Sequence, residues 1–227
     1  MKINHFILFA SMLFAVSCGK NDDTDTQPSQ SDNYLTTSSG STWNYQQVDS
    51  SSGTAISSNY IITSTSKDTS INGRSYHVYN NSAGGNRYLN LSGNDYYQFD
   101  SLSFGAVKGV FEWLYLKDNA AAGTTWNQSQ MFNIPGFPIP VPVKMDNNIA
   151  ERNLTMTVNG ITYNDVMHVS SSLSSSLIPS GLISSINNYY APKVGLIEGS
   201  TKLKLNATGL DSVSINISVK LVSSSLK

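Results

Sequence analysis

Alternation with a period of two constrains this chain more than any other feature, and it is cleanest near the C terminus. Val213, Ile215, Ile217, Val219 and Leu221 fall on one side of an extended chain, with Ser212, Ser214, Asn216, Ser218 and Lys220 on the other. Only a strand, whose side chains reverse direction at every residue, buries such a set, so this segment reads as a half-buried member of an antiparallel sheet. Leu203, Leu205 and Ala207 alternate with Lys202, Lys204 and Asn206. The intervening Thr208-Gly209-Leu210-Asp211 reads as a turn, and the chain ends in a hairpin. Leu154, Met156 and Val158 repeat the pattern before Asn159-Gly160, a pair suited to a two-residue turn with positive φ at both positions. Asn72-Gly73 marks the same event earlier. The expected fold is all-β, an antiparallel meander forming a curved or partly open barrel-like sheet with at most one short helix.

Two segments resist a simple meander. Pro138, Pro140 and Pro142 stand two apart, so in an extended chain their missing N–H groups point to one side, as in an edge strand or a polyproline-like flap. The intervening Phe137, Ile139, Val141 and Val143 either cover the end of the core or form a lid or partner-docking surface. Between Ser170 and Asn188, the spacings of Leu173, Leu177, Ile178, Leu182, Ile183 and Ile186 suit a short helix after Pro179. Met167, Val169, Leu173 and Leu177 share parity, which suits a strand, and both readings stay open.

The two Asn-Gly turns also expose an internal repeat. Gly40-Ser41-Thr42-Trp43 precedes Asn72-Gly73, and Gly123-Thr124-Thr125-Trp126 precedes Asn159-Gly160. Each unit goes on to a tyrosine pair, Tyr96-Tyr97 and Tyr189-Tyr190. Two tandem related units, about 38–118 and 119–227, within one β domain (34–227) are the expectation. Trp43 and Trp126 would take equivalent strand positions, where core packing is favoured over a sugar-stacking platform.

The N terminus supplies an address. A start bearing Lys2, an apolar run from Phe6 to Val16 and small residues before Cys18 are the parts of a cleavable export signal, residues 1–17, too short to span a bilayer as a helix. Cys18 is the only cysteine, and at that position it reads as a lipidated first residue followed by a flexible polar tether, 18–33. Cleavage elsewhere, leaving a free thiol, is the alternative. With its one thiol committed to lipid, the chain cannot form an intramolecular disulfide. Losing Lys2 takes the formal net charge from −1 to about −2, which leaves no basic field for nucleic acid.

Catalytic equipment is sparse. Beyond the leader only His77 and His168 remain, each inside a strand-like run, where a satisfied polar position outweighs catalysis. Neither has metal-ligand spacing to a second His or Cys, and neither a phosphate-binding nor a dinucleotide fingerprint occurs, so no metal or cofactor is expected. Glu112, Asp118, Asp146, Glu151, Asp165 and Glu198 are the carboxylates that a glycosidase would draw on, and sequence spacing cannot pair them. A non-enzyme is the expectation.

Several short motifs carry a resemblance. Gly19 to Asp25, a lysine followed by acidic residues, resembles the tract after the lipidated cysteine in surface-exposed lipoproteins of Bacteroidota, which implies the outer membrane and its outer face. Gly-x-x-Trp-x-Tyr at Gly40–Tyr45, the Asn-Gly-x-x-Tyr turns and Tyr189-Tyr190-Ala191-Pro192-Lys193-Val194-Gly195-Leu196-Ile197 resemble uncharacterised lipoproteins of that group. The last motif is similar to envelope proteins with open curved sheets, the LolA/LolB half-barrels being the best-known proteins of that shape. Asp100-Ser101-Leu102 and Asp211-Ser212-Val213 look like acceptor sites for O-glycosylation in exported proteins of Bacteroidota, which would put Ser101 and Ser212 on exposed turns.

These readings combine into a membrane-tethered, non-enzymatic module that binds an apolar ligand (lipid or acyl chain) or a partner peptide. Trp43, Trp126, Phe137, Ile139, Val141, Tyr189 and Tyr190 are its candidate contacts. A structural lipoprotein with a filled core, contacting envelope proteins or glycans, is the second expectation. A carboxylate-dependent glycan hydrolase is the third.

Overall fold

The computed structural model describes residues 33–104, 107–134, 138–178, 181–206 and 212–227, with side chains of 101–108 excluded. The leader, Cys18, nearly all of the tether and Phe137 lie outside the described residues. The described residues form twelve strands in chain order: β1 (Thr42–Asp49), β2 (Ile56–Ile71), β3 (Arg74–Asn81), β4 (Asn86–Ser92), β5 (Asp95–Phe104) and β6 (Val107–Lys117), then β7 (Thr125–Phe132), β8 (Val141–Val158), β9 (Ile161–Ser174), β10 (Leu182–Ala191), β11 (Gly195–Leu205) and β12 (Val213–Ser225). They form one antiparallel sheet in the order β6-β5-β4-β3-β2-β1-β12-β11-β10-β9-β8-β7, curled until it is nearly a closed barrel.

Each half of the chain contributes six consecutive strands, and the halves meet twice. β1 pairs with β12 along its whole length, from Thr42 opposite Ser225 to Asp49 opposite Ile217. β6 and β7, at the two ends of the strand order, meet differently. The backbone N–H of Leu114 donates to Gln128 Oε1 at 2.7 Å, and Trp126 Nε1 donates to the Leu114 carbonyl at 2.8 Å. Side chains thus satisfy both peptide groups of Leu114, where a neighbouring strand would otherwise do so. Gly109 lets the two strands approach. A Cβ there would sit 2.7 Å from Phe132 Cδ1, and Phe132 is buried. Gly109→Ala is therefore expected to cost about 1–3 kcal/mol, measurable by urea unfolding, because the ring has no free space to move into.

The turns follow the sequence. Asn72 and Gly73 (φ 51° and 81°) join β2 to β3, and Asn159 and Gly160 (49° and 83°) join β8 to β9, positive values that Asn and Gly tolerate best. On β12 the set from Val213 to Leu221 faces inward, with Leu221 fully buried. Trp43 and Trp126 fall on the first strand of each half, but the tyrosine pairs do not correspond: Tyr96-Tyr97 opens the fifth strand and Tyr189-Tyr190 closes the fourth.

One open alternative is resolved and two expectations change. The described residues contain no helix, since the segment weighed between helix and strand ends β9 at Ser174 and resumes as β10 at Leu182. Pro142 sits inside β8, an internal strand, where it is tolerated because β8 pairs with β9 only from Lys144 onward. Ser101 lies within β5 opposite Val110, not on a turn, while exposed Ser212 precedes β12 and donates to Asn206 Oδ1 at 2.7 Å.

The barrel has distinguishable ends. Segment 33–41 enters at one, where Lys193 N donates to the Asn33 carbonyl at 2.7 Å and Lys227 N to Ser41 Oγ at 3.0 Å. The connections β1–β2, β3–β4, β5–β6, β7–β8, β9–β10 and β11–β12 gather at the other, the distal end.

Candidate functional site

Inward-facing residues divide the barrel interior into two chemically different layers. Toward the entry end the layer is aromatic. Tyr45 stacks on Tyr60 with ring centroids 5.3 Å apart, Trp43 meets Tyr79 edge-on at 5.9 Å, and Tyr115 lies 5.5 Å from Tyr190. Polar tips find partners: Tyr45 Oη donates to Leu196 O at 2.8 Å, Trp43 Nε1 to Val194 O at 2.8 Å and Tyr79 Oη to Thr36 O at 2.9 Å. Burial pushes the phenols of Tyr45, Tyr79, Tyr115 and Tyr190 well above their ordinary range. Tyr96 is raised by burial and then by its bond to Asp118 Oδ2, at 2.8 Å. Arg87 reaches into this layer and donates to Tyr60 Oη at 3.4 Å. A recess of about 80 Å³ remains among Trp43, Tyr45, Arg87, Gln98 and Tyr190, too small for more than water-sized guests.

The distal layer is apolar and incompletely filled. Phe111 and Trp113 of β6, Phe132 of β7, Val143 and Met145 of β8, Leu173 of β9, Leu182 and Ile186 of β10, Leu203 and Leu205 of β11 and Ile215 of β12 surround a cavity of about 200 Å³. Ile134 and Ile178, from the distal connections, complete it, and Thr201 is its one polar side chain. A cavity of about 150 Å³ with this kind of lining stays dry and admits benzene. This one has room for a short run of hydrocarbon. Its floor, toward the entry end, is bounded by a more polar band in which Ser171 Oγ donates to Asn147 Oδ1 at 2.7 Å. The Asn147 amide nitrogen is buried there without a protein partner.

One constellation has the composition of a nucleophilic triad. Ser64 Oγ is 2.9 Å from His77 Nε2, and His77 Nδ1 is 2.7 Å from Asp68 Oδ1. A bulge in β2 between Ser64 and Asp68 creates it, by putting Asp68 directly across from His77. Acyl transfer needs more: an accessible hydroxyl and donors aimed at the developing oxyanion. Ser64 is 2% exposed, lines none of the described cavities, and also contacts the Thr37 carbonyl at 2.9 Å. Its backbone N–H is committed to Ser41 O at 2.9 Å. The arrangement fastens the entry segment to the barrel. Sequence reading missed it because Ser64 sits among many serines and threonines and its partners are assembled by a bulge.

The carboxylates are engaged separately. Glu112 pairs with Arg74 at 3.0 Å and also accepts from Tyr76 Oη, Asp146 pairs with Lys144 at 2.6 Å, Glu151 with His168 at 3.0 Å and Glu198 with Lys220 at 3.6 Å. Asp118 holds Tyr96, and at Asp165 the backbone carbonyl, rather than the carboxylate, accepts from Tyr34 Oη at 3.1 Å. No cluster of three or more metal-ligating side chains occurs among the described residues.

The candidate contacts read from sequence scatter. Trp43 and Tyr190 belong to the aromatic layer, and Trp126 closes the seam. Val141 is fully buried, Ile139 is exposed on the β7–β8 connection, and Tyr189 faces outward, stacked on His168 at 4.3 Å. None of these six lines the distal cavity, whose walls are aromatic residues of β6 and β7 and mostly aliphatic residues of matching parity from β8 to β12. Their parity was legible; that they leave a space was not.

No protein-family model and no curated protein matches the sequence. Among solved structures, one from Parabacteroides distasonis described as a lipoprotein is similar at 10% identity and a TM-score of 0.46, covering 85% of this chain and 98% of its own. An exported protein of Bacteroides fragilis with a YmcC-like fold is similar at 9% identity and a TM-score of 0.39, covering 84% of this chain and 98% of its own.

Proposed function

We propose that this chain is a lipoprotein of the cell envelope, exported by its leader and tethered through Cys18, whose barrel holds a lipid acyl chain in the distal cavity without chemical turnover. The observation that carries this reading is the cavity itself: about 200 Å³ lined by eleven inward-facing apolar strand residues and two from the connections, with one hydroxyl. Such a lining offers a hydrocarbon burial of apolar surface and offers a polar ligand little to replace its water. The export signal and the lone cysteine supply the compartment in which lipid is the abundant apolar ligand.

The test is a cavity-filling substitution. Leu203 is buried and lines the cavity, so Leu203→Trp puts an indole where the chain would lie, at a cost in stability of about 1–3 kcal/mol. A fluorescent fatty acid is expected to bind the delipidated protein and to lose about tenfold or more in affinity in Leu203→Trp, with the far-UV spectrum unchanged. A wild-type protein that binds no such probe, or a variant that binds it equally, removes the proposal.

A further inference from the structure

Ten large apolar side chains are exposed among the described residues, and six of them lie at the distal end, five on the strands and connections that wall the cavity. Val110 (64% exposed) and Met131 (60%) stand on the outer faces of β6 and β7, one residue from the Gly109–Phe132 contact that brings those strands together. Ile139 and Leu177 lie on the β7–β8 and β9–β10 connections, and Ile183 faces outward from the second position of β10. They form an arc around the same side of the barrel that contains the cavity. A soluble surface rarely keeps such a grouping without a use for it.

Charge decides between the available uses. Lys204 is the cross-strand partner of Ile183, and Lys202 lies two residues further along the same outer face. Both are exposed, and neither has an acidic partner among the described residues. Their outward neighbours on β10 and β12 are Ser185, Ser214 and Asn216, all uncharged. Exposed aliphatic side chains beside lysines that have no acidic partner among the described residues match an anionic lipid surface, in which the apolar groups enter the headgroup boundary and the ammonium groups meet phosphate. The described entry segment, 33–41, lies at the opposite end of the barrel.

We propose that the distal end docks on an anionic bilayer and that an acyl chain passes from it into the cavity without crossing water. The inference rests on the acyl-chain reading above and adds the surface through which the ligand enters.

The experiment reads orientation as well as binding. In the full-length chain carrying Cys18→Ser, an environment-sensitive fluorophore is attached at Ile183→Cys or, as a control, at Ile161→Cys, which is exposed at the start of β9 at the entry end. Vesicles of phosphatidylglycerol and phosphatidylcholine are expected to give a blue shift and a several-fold rise in emission at position 183 and little change at 161. Lys202→Glu with Lys204→Glu is expected to reduce vesicle affinity about tenfold or more, as loss of two favourable lysines and gain of two repulsions requires. Equal responses at both positions, a response at 161 alone, as insertion of the leader would give, or indifference to the lysine changes would overturn the proposal. Fatty-acid binding in vesicle-free solution separates the two readings: if it persists while docking is absent, only the docking inference fails, and if docking occurs while the cavity binds nothing, the acyl-chain reading fails.

Discussion

Raising the pH above 10 is expected to unfold this domain over a narrow interval. Five tyrosines, Tyr45, Tyr76, Tyr79, Tyr96 and Tyr190, are at most 6% exposed, and each has its phenol pushed well above the ordinary value of 10.0, in every case chiefly by burial. Tyr76 and Tyr96 are raised further by donating to the carboxylates of Glu112 and Asp118. A folded-state pKa above the unfolded one means that the native state retains protons that the unfolded chain gives up. The stabilisation is therefore complete below pH 10 and is lost as pH climbs from 10 toward the folded values. Each such group contributes a slope of about 1.4 kcal/mol per pH unit, so five together give about 7 kcal/mol per unit, comparable with the whole stability of a domain this size. Absorbance at 295 nm and near-UV circular dichroism are expected to change together in one cooperative step. Gradual phenol ionisation near pH 10 with the near-UV signal intact would show that these side chains are wet.

The second large effect is at the seam. Trp126→Ala removes a half-buried indole from the cluster containing Ile149 and Met167 and leaves the Leu114 carbonyl without its donor. The expected loss is about 3–5 kcal/mol, or about 6–20 °C in Tm for a domain near 195 residues. Trp126→Phe isolates the hydrogen bond, keeping most of the ring and losing the N–H, with an expected cost of about 1–3 kcal/mol. Chemical unfolding of both variants beside wild type checks this. A Phe variant as stable as wild type would mean that β6 and β7 are held by packing alone.

Several elements were readable in the residues because their signal is local. The inward set of β12, the Asn-Gly turns and the all-β class follow from side-chain parity and from which residues tolerate positive φ. The placement of Pro142, the strand at Leu182–Ala191 and the mismatch of the tyrosine pairs were not readable. Each depends on where a distant neighbour begins or stops pairing, as with β8 and β9 beyond Lys144. The site shows the same division. Val143, Met145, Leu173, Leu203 and Ile215 declare by their spacing that they face inward. Nothing in that spacing says whether opposing walls touch.

The sequence by itself determined that the chain builds strands, which residues turn inward along the clearest of them, and that its single cysteine follows a short apolar run. Only the tertiary structure decided that the sheet curls until β6 meets β7 through Trp126 and Gln128, that one end fills with tyrosine while the other keeps a cavity, and that exposed aliphatic residues gather around it. The reason is physical: parity is set by each residue's own backbone, whereas closure and empty volume depend on the curvature of the whole sheet and on which side chains meet across it.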